Sequence, residues 1–236
     1  MPVISGLPPP GPIEFTYRFQ LPDGSARVHL VVIDRKTLQL QFTDEHPPAW
    51  TELERNKCSN CPLDAATTPY CPAARGAAAV CETFKDSPSY TIAETEVVTE
   101  ERTYSKTGAL ASALGSLFGL VMATSGCPHL SFLRPMARFH LPFATIEDTV
   151  VRATSFHLLE QYRKARRGGP ESLALDQLRK DYEALAAVNL GLTNRVRSMG
   201  GKDSGRNAVV ALDAFAKMLH MELRDDLPIL DEVFPG

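Results

Sequence analysis

Apolar and polar residues alternate along "IEFTYRFQL" (13–21) and again along "ARVHLVVID" (26–34), with Asp23-Gly24 between the two runs. A period of two marks strands with one buried face, and Asp-Gly between such runs is a strong hairpin signal. "TLQLQF" (Thr37–Phe42) alternates too and predicts a third strand, stopped by "EHPPAW". "SYTIAETEVVTEERTY" (Ser89–Tyr104) is rich in β-branched residues and is expected to return to the same sheet. From about residue 107 the period changes. Leu110, Ala113, Leu114, Leu117, Phe118 and Val121 recur at helical spacing. Pro128 to Phe139 reads as a second helix, split at Pro135. Thr145 to Arg167 reads as a third, with Thr145 and Asp148 set for a capping box and Gly168-Gly169-Pro170 as its stop. Glu171–Val188 and Arg206–Leu223 complete the helices, with Asp203 or Ser204 as cap of the last. The tail "RDDLPILDEVFPG" is expected to pack as an irregular strap.

The pattern predicts an α+β fold: a small N-terminal antiparallel sheet, a cysteine-rich metal-binding insert over about 52–86, and an α-helical C-terminal half. Residues 1–12 read as a flexible leader, 13–106 as the sheet with its insert, and 107–236 as the helical domain. "TELERNKC" is expected to lead into the insert as a short helix.

The insert carries the chemistry. Cys58, Cys61, Cys71 and Cys81 follow the spacing C-x2-C-x9-C-x9-C, and they are four of the five cysteines in 236 residues. A C-x2-C pair presents two thiolates on one tight turn, which is half of a tetrahedral zinc site. Two more thiols complete it, and metal binding would order a loop too poor in apolar residues to fold alone. The Cys-Pro steps at Cys61 and Cys71 keep an iron–sulfur cluster open as the alternative. Reduced thiols without metal, including a C-x2-C redox pair, are the third reading.

Cys127 precedes Pro128, and proline favours the first helical position, so Cys127 is expected at a helix N-cap. A thiol there is expected to have a lowered pKa, and His129 is two residues away. Cys127 and His129 are therefore candidates for a reactive thiol centre. They are equally candidates to complete a metal site with three of the earlier cysteines, tying the two halves together.

Composition narrows the setting. Hydrophobic content of 44%, charged content of 22% and a net charge of −3 describe an ordinary globular chain with no global demand for nucleic acid or a membrane surface. The N-terminal stretch lacks the charged and apolar regions of a signal peptide, and a cytoplasmic setting is expected. Clustered cysteines in a reducing compartment read as metal ligands before disulfides. His140, Glu147, His157 and Glu160 crowd the central helices, yet no acid has a histidine three residues later, so a di-iron bundle is not supported. "SMGGKDSGR" (Ser198–Arg206) imitates a phosphate-binding loop but follows helices rather than a first strand. "RKARR" (Arg163–Arg167) is explained by a helix C-terminus.

"PPAWTELERNKCSNCPL", "YCPAA" and "MATSGCPHLSFLRPMARFHLPFA" resemble segments of a family of uncharacterised bacterial proteins, marked by a Cys-x2-Cys-Pro-Leu motif and a Ser-Gly-Cys-Pro-His motif, over about residues 47–165. The resemblance implies that the four cysteines and Cys127-Pro128-His129 form one constellation, and implies no reaction. The function expected is a metal-binding scaffold or interaction module, zinc being the metal, with a protein partner or a second copy of the chain. The alternative is a thiol-reactive enzyme or sensor using Cys127.

Overall fold

Residues 13–33 fold as the hairpin that their alternation predicts. The computed structural model describes residues 11–199 and 203–234. β1 (Ile13–Gln20) pairs antiparallel with β2 (Ala26–Ile33), from Ile13 opposite Ile33 to Gln20 opposite Ala26. Ile13, Phe15, Tyr17 and Phe19 all point inward, two residues apart as pleating requires. Gly24 closes the turn at φ 81°, a left-handed conformation that glycine adopts without penalty.

"TLQLQF" is not a strand. Leu38 takes a φ of 55°, and the stretch meets the sheet only at an isolated bridge between Leu40 and Ile33, where Gln41 N donates to Val32 O at 2.8 Å. The Leu40 amide donates instead to Thr124 O at 2.8 Å, at the end of a helix, so tertiary contact overrides the local alternation. The Ser89–Tyr104 run does return to the sheet, as two strands rather than one: β3 (Ile92–Val98) and β4 (Thr103–Ala109), joined by a turn in which Thr99 N donates to Arg102 O. The strand order is β2-β1-β3-β4, all antiparallel.

Between β2 and β3 the insert splits into loop and helix. The expected helix at "TELERNKC" is absent; a single 3-10 turn spans Ala49–Thr51. Glu52 is extended because it pairs across the loop with Tyr70. α1 (Pro72–Phe84) occupies the second half. Its Ala73, Ala74, Ala77, Val80 and Phe84 are buried, a small-residue face that lets α1 lie close to α2 (Leu110–Thr124). A Cβ added at Gly76 would stand 3.2 Å from Leu40 Cδ2 and 3.3 Å from Val121 O, a tight fit that glycine relieves.

A 3-10 stretch over Pro128–Leu133 leads into α3 (Arg134–Arg138), with Pro135 in its first turn. α4 (Ile146–Ala165) starts on the expected capping box: Thr145 Oγ1 accepts from Asp148 N at 3.1 Å, and Asp148 Oδ2 accepts from Thr145 N at 2.8 Å. α5 (Asp176–Ser198) runs well past the expected end at Val188. α6 (Ser204–Arg224) begins at Asp203, whose carboxylate accepts from Ser89 N, Ser89 Oγ and Asn207 Nδ2 instead of capping its own helix. Residues 200–202 of the glycine-rich run lie outside the described residues, as do residues 1–10 of the expected leader. The tail holds a short helix, α7 (Ile229–Val233), in place of an irregular strap.

One hydrophobic core joins both halves, from Tyr17 and Phe19 on the sheet through Phe84 and Phe118 to Leu192 and Val209. Among the described residues no single helix is long and apolar enough to cross a membrane; α2 and Pro128–Arg138 reach that length only together and are bent by 112°.

Candidate functional site

The loop from Ala49 to Cys71 is closed at its neck. Leu53 N donates to Pro69 O at 2.8 Å and Cys71 N to Thr51 O at 2.7 Å, flanking the bridge between Glu52 and Tyr70. Inside it, Cys61 N donates to Cys58 O at 3.0 Å, so the C-x2-C pair sits on a tight turn. Asn56, just before, is left-handed at φ 50°, a conformation asparagine tolerates better than most residues. Cys71 is the N-cap of α1, with Pro72 following it.

This loop is too polar to hold itself, and α5 holds it. Arg195 is 1% exposed and donates to Trp50 O (3.1 Å), Glu52 O (2.6 Å) and Leu53 O (2.8 Å). Asn60 Nδ2 donates to Ala184 O at 2.9 Å. Gly191 faces the C-x2-C turn, and a Cβ there would stand 2.7 Å from Cys58 Sγ. Ala184, Gly191 and Arg195 are spaced by seven and four, so they share one face of the helix. From the other side, His129 Nε2 donates to Asn60 O at 2.7 Å, which assigns the proton to that nitrogen.

His129 follows Cys127, which is the N-cap of the 3-10 stretch, as the Cys-Pro step predicts. The helical half thus meets the cysteine loop at this point. Burial pushes the Cys127 thiol up to about 12; the His129 and Leu130 amides pull it back, and the nearby Cys71 and Cys58 raise it again. Burial likewise pushes Cys58 up to about 11, helped by Cys71 and Cys61 and opposed by Arg195. Cys58, Cys61, Cys71 and Cys127 therefore share one neighbourhood, close enough for their charges to act on one another.

Cys81 is elsewhere. It lies ten residues beyond Cys71 on α1, about 15 Å along the axis at 1.5 Å per residue. It is 3% exposed, beside Gly205 of α6, and burial raises its thiol to about 12. The spacing C-x2-C-x9-C-x9-C thus brings only three of its cysteines together, and the fourth thiol near them is Cys127. The expected lowering of the Cys127 pKa is reversed as well. At 8% exposure the loss of hydration outweighs two amide donors, so Cys127 is a poor nucleophile at neutral pH. All five cysteines are free thiols. Among the described residues no three His, Cys, Asp or Glu side chains are set as a metal-holding group, and the expected metal-binding insert is not shown.

The acids and histidines of the central helices do not converge either. Glu160 pairs with Arg163, and the salt bridge holds its carboxyl below the usual range. His157 Nε2 meets Ala174 O at 3.0 Å, and Glu147 is exposed. Sequence reasoning missed Arg195, Gly191 and Asn60. One signal was available for the first: Leu185, Val188, Leu192 and Val196 form an apolar stripe, and Arg195 interrupts it on the buried side.

A family model described as a domain of unknown function (DUF6901) matches residues 15–235, and the chain belongs to that family. Comparison with curated proteins and with solved structures finds no match.

Proposed function

We propose that the protein is a metal-binding scaffold in which Cys58, Cys61, Cys71 and Cys127 hold one zinc ion, with the helical half as its interaction surface. The observation that carries this reading is the meeting of four thiols from three chain segments, while the fifth is sealed in the core. The donor chemistry suits zinc, which accepts four thiolates without redox change. Arg195 opposes the rise at Cys58 and the His129 and Leu130 amides oppose it at Cys127, but burial outweighs them, so thiolate at these positions depends on the metal itself. Burial keeps the Cys58 and Cys127 thiols protonated at neutral pH in the absence of metal, so loading must release protons and must weaken as pH falls. Enzymatic thiol chemistry fits less well, because a thiol raised to about 12 supplies little thiolate.

The interaction surface has a candidate face on α4, where Leu159 and Tyr162 are exposed one turn apart. The test is element analysis of anaerobically purified protein. One zinc per chain is expected, lost in Cys127→Ser and kept in Cys81→Ser. Iron with inorganic sulfide would keep the site and change its cofactor to an iron–sulfur cluster. Protein without metal that also fails to take up added zinc would overturn the reading.

A further inference from the structure

A cavity of about 550 Å³ lies among α2, α3, α4, α5 and α6, away from the cysteines. That volume is in the range of small-molecule sites, about 300–1,000 Å³. Its walls are chiefly apolar, including Leu120, Leu133, Met136, Leu185 and Leu212. Its polar groups come chiefly from α2 (Ser112, Ser116), from α4 and its cap (Thr145, Thr149, Arg152) and from His140 between α3 and α4. Arg152 lines it and acts electrostatically on His140, which lines it too. Ser116 Oγ, also in the wall, accepts from Phe143 N at 3.0 Å. Lys106 stands on the wall as a second cation, and among the described residues no aspartate or glutamate lines the cavity.

Two observations point to an occupant. The first is charge. Arg152 donates to Met136 O at 3.0 Å and Phe139 O at 2.8 Å, but among the described residues it has no ion pair. Asp148, an acid that acts on it, is engaged by Thr145 in the α4 cap. A half-buried guanidinium without a carboxylate beside an apolar chamber is a receptor for an anion. The second is space that packing does not require. Gly115 and Gly119 of α2 line the cavity, and glycine is the poorest interior helix residue after proline. A Cβ at Gly115 would come no closer than 3.9 Å to Ala208 O, and one at Gly119 no closer than 3.7 Å to Leu212 Cδ2. Both positions have room for alanine, so close helix contact does not explain the glycines. They widen the chamber.

We propose that this cavity binds an anionic amphiphile of the fatty-acid class, its acyl chain between α2, α5 and α6 and its carboxylate at Arg152, with Ser116 and His140 as neighbouring polar groups. Neutral His140 offers hydrogen bonding without charge, and the charge that selects the headgroup belongs to Arg152 and, at the rim, Lys106. This site is independent of the cysteine constellation.

The experiment is displacement of anilinonaphthalene sulfonate from full-length, delipidated protein by laurate and by its uncharged methyl ester. Laurate is expected to compete at about tenfold lower concentration than the ester, the difference one charge-assisted contact supplies. Arg152→Gln should remove most of that preference while the ester still binds. Gly119→Leu, which fills the chamber, should weaken both at least about tenfold without lowering the melting temperature. Arg152 also holds two backbone carbonyls, so Lys106→Gln serves as a second charge variant, expected to lose about threefold for laurate alone. Equal competition by acid and ester would overturn the proposal, as would a Gly119→Leu protein that binds laurate like the parent.

Discussion

The four-stranded sheet and the loop from Ala49 to Cys71 satisfy their backbone in opposite ways. In the sheet, neighbouring strands satisfy each other, and β1 and β2 are joined by a turn of a few residues. In the loop, the carbonyls of Trp50, Glu52 and Leu53 find their donor in Arg195, more than 140 residues away in sequence. The Asn60 carbonyl finds His129, and the Asn60 amide finds Ala184. The sheet hairpin is a local object. The loop takes its shape only once α5 and the segment after Cys127 have docked. Three of the four gathered thiols are therefore positioned by long-range contacts, and the fourth is delivered by them.

The sharpest way to break this contrast is Arg195→Ala. Three carbonyls lose charge-assisted donors, and replacing the side chain leaves a hole around them. The expected loss is about 3–5 kcal/mol in urea unfolding. Amide exchange in residues 53–69 should rise well before that of β1 and β2. Equal loosening of loop and sheet would end the distinction. Arg195→Lys should recover only part, because an ammonium lacks the guanidinium's fixed fork.

The next effect belongs to the sheet side. The Tyr17 hydroxyl of β1 lies 2.6 Å from His140 Nε2, and burial together with the Arg152 charge pushes His140 down from 6.5 to about 3. In that window the unfolded chain holds a proton on this ring that the folded chain does not. Stability rises with pH there, and it is lost as pH falls from about 6.5 toward about 3. The ring borders a cavity, so the loss is set at about 2–4 kcal/mol, below the full conversion of the shift. His140→Gln should flatten this acid limb of the melting-temperature profile. An unchanged slope would show that the Tyr17–His140 contact does not govern it.

The same contrast decides what the residue string reveals. Period-two alternation with Asp23-Gly24 states the hairpin outright, and Thr145 with Asp148 states the start of α4. These are short-range signals with short-range causes. "TLQLQF" carries the same alternation and fails, because Leu40 is claimed by Thr124 of α2. For the cysteines, dense clustering suggests equivalence, but a helix from Pro72 carries Cys81 about 15 Å from Cys71. The Ser-Gly-Cys-Pro-His motif marks the replacement, and only tertiary docking makes Cys127 a neighbour of Cys58. Arg195 was hidden because its helix reads as ending early, and a buried arginine has no pattern apart from its interruption of an apolar stripe.

A smaller change tests how closely α5 is fitted to the loop. Gly191→Ala adds a methyl 2.7 Å from Cys58 Sγ and 3.4 Å from Asn56 O. Alanine should gain about 1 kcal/mol in a helix interior, but overpacking costs about 1–3 kcal/mol. A net loss of about 1 kcal/mol is expected in chemical denaturation. Removing the obstructing atom should reverse the sign. In a Cys58→Ala background, Gly191→Ala is expected to stabilise by up to about 1 kcal/mol. Additive effects in that double-mutant cycle would show that helix and turn are not in contact.

The smallest effect is expected at His129, where the segment after Cys127 meets the loop through one side-chain hydrogen bond. His129 Nε2 donates to Asn60 O, the backbone of the residue just before Cys61. A single neutral hydrogen bond of this kind contributes about 1 kcal/mol. His129→Ala should lower stability by about that amount, a shift of about 2–4 °C in melting temperature for a chain of this size. Its local consequence is larger than its global one. The turn from Cys58 to Cys61 is held to α5 by Asn60 Nδ2 and to the segment after Cys127 by His129 alone among the described side-chain hydrogen bonds. Loss of the second tether should speed exchange of the Cys61 amide, which donates to Cys58 O, while the Cys71 amide at the loop neck stays protected. His129→Gln places an amide donor on a chain of similar reach and should restore part of that protection. If Ala and Gln loosen the turn equally, the histidine acts by filling space rather than by donating. The junction between the loop and the segment after Cys127 would then be a packing contact, held like the sheet side of the molecule and not like the rest of the loop.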